Sequence, residues 1–322
     1  MTQPTFSIEF FPPKTDEGVL KLRETRKQLA QLKPKFFSVT FGAGGSTRDR
    51  TLETVLEIQG EGLAAAPHLS CIGSTRENIR EILELYKSHG IRHIVALRGD
   101  LPSGVADPGE FRYANELVAF IRQETGDWFE LEVAAYPETH PQARNYTEDL
   151  ANFKRKVDAG ANAAITQYFF NADAYFNFVD DCQALGVDIP IVPGIMPISN
   201  YAQLARFSAM CGADIPRWLA KKLESYYDDT ASIKAFGLDF VTGMCDDLLV
   251  GGAPGLPPEV VVIVVALTDL HPVRAHRQAQ RLARRKLAGE PLGVDCFDLA
   301  TGENRLQRGI DQRLERRIAL TE

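Results

Sequence analysis

The chain has 322 residues, 44% of them hydrophobic and 25% charged, with a formal net charge of -7, a balance that suits a globular protein with a large core. Its acidity argues against a nucleic-acid partner for the protein as a whole. Five scattered cysteines without a CxxC pair, an N-terminus unlike a signal peptide, and a longest apolar run ("VVVIVVAL") too short to span a bilayer make a cytoplasmic protein with no membrane partner the expectation.

The first expected strand, "TFSIEFF", carries Glu9 inside an apolar run that ends in two prolines. A carboxylate there is turned to solvent, paired, or held protonated for a purpose. A helix follows over "DEGVLKLRETRKQLAQL", then the strand "FFSVTF" and a loop, "GAGGS", whose spacing is neither a Walker nor a dinucleotide-binding turn. After the strand "AAPHLS", the helix in "STRENIREILELYKSHG" starts from Ser74 or Thr75 and stops at Gly90. "RHIVAL", "LEVAA", "AAITQYFF" and "PIVPGI" complete seven strands, and their alternation with helical segments is the rhythm of a parallel sheet.

Two closures compete, an open doubly wound sheet and a (βα)8 TIM barrel. The first strand lacks a following G-x-G-x-x-G, and polar residues recur at strand ends: Glu9, Thr40, His68, Arg98 with Asp100, Tyr136 and Gln167. A barrel builds its active site there, so we expect one barrel over residues 1–256. The histidines are scattered, and His271 and His276 share no H-E-x-x-H frame, so no metal site is expected. Nor is there a G-x-S-x-G elbow for acyl chemistry.

In order, "SIEFFPPKT", "VTFGAGG", "PHLSC", "ALRGDLP", "AAYPETHP", "KRKVDAGANAAITQYFF" and "IVPGIMPISN" closely resemble the bacterial type of methylenetetrahydrofolate reductase. Seven ordered motifs are far more specific than one glycine loop. The resemblance implies a barrel that binds FAD, takes a hydride from NADH or NADPH, and reduces 5,10-methylenetetrahydrofolate to 5-methyltetrahydrofolate for methionine synthesis. It also implies assembly into a homo-oligomer.

By that resemblance Glu9 is the general acid that protonates the folate N10, and an aromatic surround would favour its acid form. Asp100 lies beside flavin and pterin, where its charge favours a cationic iminium. Arg98 and Gly99 face the diphosphate, and His68, Tyr136 and His140 line the flavin, as do Ala43, Ala114 and Ala143. Asp149, Asn152, Arg155 and Lys156 fall in a cofactor-binding helix, although alone "DLANFKRK" is a solvated helix with a basic end. Thr40 matches a residue near nicotinamide, and Phe41 stands where some relatives carry tyrosine, removing a hydroxyl contact. Gln167, Gln203 and Phe207 match substrate positions, Phe207 also fitting a core role by its helical spacing.

The resemblance stops after "GGAPGL". Residues 257–322 form a divergent segment, and from His271 to Glu322 they hold 11 Lys and Arg against 7 Asp and Glu. Of three accounts ("VVVIVVAL" replaces the last strand, the segment is an added interaction element, or a frameshift has rewritten the end), the frameshift is the expectation, because the break is abrupt and falls mid-motif. No counterpart of the family's folate-contacting basic residue is found there. Two rivals to a reductase are kept, a flavin barrel oxidising a proline-like cyclic amine and a flavin- or folate-binding barrel with impaired turnover.

Overall fold

Strand β1 (Thr5–Phe10) is the reference for the fold, because its alternation of residues recurs around the sheet. The strands that follow are β2 (Phe37–Val39), β3 (Ala65–Ser70), β4 (His93–Leu97), β5 (Glu130–Ala135), β6 (Ala163–Thr166), β7 (Ile191–Val192), β8 (Gly194–Ile195) and β9 (Val260–Ile263). The computed structural model describes residues 5–13, 15–41, 48–100, 109–252 and 260–263. All of them fall in the first of two units into which the chain divides, Met1–Gln278.

The strand order is β7-β6-β5-β4-β3-β2-β1-β9-β8, and every pairing is parallel. The described residues thus form an α/β fold with a curled, TIM-like parallel sheet rather than eight continuous strands. "PIVPGI" is broken at Pro193, which has no N–H to give to a ladder, into β7 pairing with β6 and β8 pairing with β9. "AAITQYFF" is strand only as far as Thr166. Residues 260–263, beyond the resemblance, lie between β1 and β8.

Register separates the two faces of the sheet. Ile8, Phe10, Phe37, Val39, Leu69, Ile94, Ala96, Leu131, Val133, Ala164 and Ile191 share one face and are buried. Phe10 stacks on Phe37 with ring centroids 5.2 Å apart. This apolar face is the one amphipathic crossover helices cover. The opposite face carries Ser7, Glu9, Ser38, His68, Val95, Glu132, Ile165 and Val192. Val95, Ile165 and Val192, from β4, β6 and β7, form one buried cluster with Leu97. Side chains from non-adjacent strands converge only on the concave side, so this polar-studded face is the interior of the curl.

The crossovers start and stop where local chemistry dictates. Helix α1 (Asp16–Ala30) is capped by Thr15, whose hydroxyl accepts from Gly18 N at 3.1 Å. Helix α2 (Arg48–Gly60) is clamped to it: Arg26, 1% exposed, pairs with Glu57 and Glu61, while Arg23 holds Glu57 through two 2.8 Å bonds. Helix α3 (Arg76–Ser88) is capped by Thr75, buries Ile79, Ile82, Leu83 and Tyr86, and ends just before Gly90 at φ 71°. Helix α4 (Ala114–Thr125) follows, and α5 (Tyr146–Asp158), α6 (Ala172–Ala184) and α7 (Tyr201–Cys211) each begin from an asparagine cap: Asn145, Asn171 and Asn200. Helices α8 (Arg217–Glu224) and α9 (Thr230–Val250) complete the set among the described residues. No helix among those residues is long and apolar enough to cross a membrane.

Candidate functional site

Glu9 projects into the concave face because alternation turns Phe10 and Ile8 the other way, toward the helices. The aromatic surround expected for it is therefore replaced by polar neighbours: Ser38 in register on β2, and His68 from β3. Glu9 Oε2 lies 3.2 Å from His68 Nε2, an ion-pair distance, and that buried nitrogen makes no hydrogen bond among the described residues.

A second group gathers at the C-terminal ends of β4 and β5. Arg98 donates through Nε to Gly99 O at 3.1 Å and through a terminal nitrogen to Gln142 Oε1 at 2.6 Å. Asp100 is exposed, with one oxygen 3.9 Å from that guanidinium. Gly99 has φ 83°, and a Cβ there would stand 1.7 Å from Ser70 Oγ, so the turn admits only glycine. Ser70 in turn donates to Arg98 O at 2.9 Å.

Tyr136 and His140 meet edge to face with centroids 4.5 Å apart. Burial first, then the charges of Asp100 and Asp149, push the Tyr136 phenol up to about 12. Asp149 accepts from His140 N at 2.7 Å and so ties helix α5 to the loop after β5. His140 Nδ1 accepts from Gln142 N at 3.0 Å, which leaves Nε2 to carry the proton of the neutral ring, and burial lowers that imidazole's pKa further.

Lys156 corrects the reading of "DLANFKRK" as a solvated helix. Its ammonium turns inward to donate to Ala134 O, and burial pushes it down to about 8 against the pull of Asp149. Arg155 is exposed and donates to Asn152 on the same helix, so these two answer to each other.

The other expected residues lie around the same strand ends. Thr40 follows β2, donates its N–H to Phe10 O at 2.9 Å and accepts from Thr51 Oγ1 at 2.8 Å, with Phe41 next to it. Ala114 opens α4, and Ala143 donates its N–H to His140 O at 2.9 Å. Gln167 follows β6, where its Oε1 accepts from Tyr168 N at 3.0 Å. Gln203 and Phe207, four residues apart, share a face of α7 and are half-buried. Ala43 lies outside the described residues.

Three participants escaped the sequence reading: Ser70 and Gln142, which support the Arg98 turn, and Glu132, which faces inward from β5. The last had a signal, since "LEVAA" sets a glutamate into an apolar strand as "FSIEFF" does. A groove of ≈ 490 Å³ between α1 and α2 is lined by Arg23, Arg26, Arg50, Glu53 and Glu57. Much of its charge is already paired, and it lies away from the strand ends, so the mouth of the curl is the better candidate.

The methylenetetrahydrofolate reductase family model matches residues 1–257. The 5,10-methylenetetrahydrofolate reductase of Escherichia coli (strain K12) is 46% identical over 243 residues, 75% of this chain and 81% of that protein. Methylenetetrahydrofolate reductase (NADH) 1 of Arabidopsis thaliana is 42% identical over 268 residues, 79% of this chain and 45% of that protein. Among solved structures, an uncharacterized Clostridium thermocellum protein that binds two copies of 5-methyl-5,6,7,8-tetrahydrofolic acid shares the fold. Its TM-score is 0.64 at 15% identity, over 88% of this chain and 96% of that one. With seven motifs, a curled parallel sheet and a matched length of this extent, the chain belongs to the methylenetetrahydrofolate reductase family.

Proposed function

We propose that this protein reduces 5,10-methylenetetrahydrofolate to 5-methyltetrahydrofolate, using NADH or NADPH and bound FAD. The observation that carries the reading is the placement of Glu9 beside His68 on the concave face, in a chain of this family. Glu9 delivers a proton to the substrate N10, the N10–methylene bond opens, and the resulting iminium accepts a hydride at the methylene carbon.

The residues present suit FAD. The inward-turned ammonium of Lys156 and the guanidinium of Arg98 offer positive charge for a diphosphate. The Tyr136–His140 pair offers aromatic surface, and Gly99 brings backbone close. FAD, when bound, supplies the hydride-carrying ring that links the two substrates. Asp100 favours the cationic iminium by its charge, and Gln167, Gln203 and Phe207 orient the folate. His68, Thr40, Phe41, Ala114 and Ala143 complete the walls, with Asp149 holding the loop of His140.

We also read the sheet as a closed (βα)8 barrel in which β7 and β8 are one strand interrupted at Pro193 and β9 is the eighth. The pairing of residues 260–263 with both β1 and β8 favours the replacement-strand account of the divergent segment over a frameshift.

The test is the anaerobic visible spectrum of the purified protein, before and after NADH and then methylenetetrahydrofolate. Bleaching of a flavin band by NADH and its return with the folate support the proposal. Bleaching by proline with no response to folate would favour the cyclic-amine rival, and absence of a flavin band would overturn the FAD reading.

A further inference from the structure

Acid–base chemistry on the concave face extends beyond Glu9. The alternation that sends Leu131 and Val133 toward the helices turns Glu132 inward, 9% exposed, with its Oε2 unpartnered among the described residues. Register sets Glu132 beside Val95 on β4, and Val95 beside His68 on β3. His68 is 6% exposed, and its Nε2 makes no hydrogen bond among the described residues but stands 3.2 Å from Glu9 Oε2. The charged groups bearing on Glu132 are Lys35 before β2, His68 on β3, Glu130 on β5 and Glu9 on β1. The Ser7 and Ser38 hydroxyls on the same face are unpartnered as well.

We propose that Glu132 is a positioning residue for the folate half-reaction: with His68 and Glu9 it forms one polar array on the concave face, and its charge sets how firmly that array holds the proton Glu9 delivers. This rests on the reductase reading above.

An orphaned buried carboxylate is costly, so the group takes up a proton instead. Burial, helped by Glu130 and Glu9 and opposed by Lys35 and His68, pushes Glu132 up to about 7. Ionised Glu132 adds negative charge to the face that Glu9 and His68 share, whereas a neutral side chain does not. In the chemical step the Glu9 O–H bond breaks as the substrate N–H bond forms. The array is then one proton short, and water restores it without any redox partner.

The experiment compares holoenzymes carrying Glu132→Gln and Glu132→Asp with the wild type, following each half-reaction separately from about pH 6 to about pH 9. In Glu132→Gln the alkaline limb of folate reduction is expected to move to lower pH by about one unit. Flavin reduction by NADH keeps its rate, and Glu132→Asp restores the limb. An infrared titration without substrate is expected to show a carboxylic-acid C=O band that ionises near neutral pH in the wild type and is missing from Glu132→Gln.

An unmoved limb, an equal fall of both half-reactions, or persistence of the band in Glu132→Gln overturns the proposal. If Glu132→Gln does not fold, Glu132→Asp decides: a displaced infrared titration supports the proposal, and an unchanged one sinks it. A wild type that never reduces folate would defeat the reductase reading, and the infrared band would then show independently whether Glu132 holds a proton.

Discussion

Glu9 on β1 and His68 on β3 meet over the intervening strand β2, with Oε2 3.2 Å from Nε2. Strands two places apart bring side chains this close only where the sheet curls, so the contact depends on the fold as much as on either residue. Substitution Glu9→Gln keeps the shape and removes the proton. It is expected to slow flavin reoxidation by methylenetetrahydrofolate by about 10²- to 10⁴-fold while leaving flavin reduction by NADH unchanged. Stopped-flow measurement of the two half-reactions checks this, and a matching loss in both would show that Glu9 serves structure or flavin binding instead.

Lys156 links stability, pH and anion binding. Its folded pKa of about 8 lies below the ordinary value of 10.5, so the charged form is penalised and the penalty is complete below pH 8. Without ligand, the wild type is expected to gain about 3 kcal/mol relative to Lys156→Met as pH rises from 8 toward 10.5. Urea unfolding of the flavin-free proteins at both ends of that window measures the difference. The same substitution is expected to weaken flavin binding by about tenfold to a hundredfold.

Gly99 separates two kinds of strain. An alanine there meets Ser70 Oγ at 1.7 Å and also sits at φ 83°. Gly99→Ala is expected to cost about 3 kcal/mol or more. Pairing it with Ser70→Gly removes the collision and leaves the backbone component of about 1 to 2 kcal/mol. A double-mutant cycle of unfolding free energies reads the two apart, and strict additivity would contradict the collision.

Arg26 is buried between α1 and α2, and its loss deprives Glu61 of its guanidinium while Glu57 keeps Arg23. Arg26→Met is expected to cost about 1.5 to 3 kcal/mol at neutral pH, because the carboxylates it leaves are partly exposed and Glu57 keeps Arg23. Hydrogen bonding to Arg23 and then Arg26 holds the Glu57 carboxyl down at about 2, below its ordinary 4.5. That stability is present above pH 4.5 and lost as pH falls toward 2, so the variant is expected to show a shallower acid transition than the wild type. Circular dichroism during acid titration distinguishes the two.

Residues 260–263 pair with β1 on one side and β8 on the other. Truncation after residue 256 is expected to leave both edges unpaired and to yield an aggregating protein. Sedimentation and thermal unfolding test this. A truncated protein that stays monodisperse and as stable as the whole chain would favour the frameshift account.

The βα rhythm, the Thr75 start of α3 and its stop at Gly90 were legible because they rest on local causes: side-chain period, capping and positive φ. So was the family, since its motifs are contiguous runs of residues, each held in one loop or strand end. The break at Pro193 was visible as a residue, but its effect on pairing was not, because a strand's partner is a long-range choice.

Periodicity placed Glu9 in a strand without saying which face was concave, and the aromatic Phe10 beside it in sequence faces the helices instead. Lys156 and Arg155 are adjacent in sequence and alike in type, yet one turns inward to Ala134 O and the other stays exposed on Asn152. Sequence alone determined the family, the βα order and the capped local elements, because each rests on contiguous residues. Tertiary structure decided which polar residues face one interior, as Glu132, His68 and Glu9 do, because burial and curvature belong to the assembled sheet.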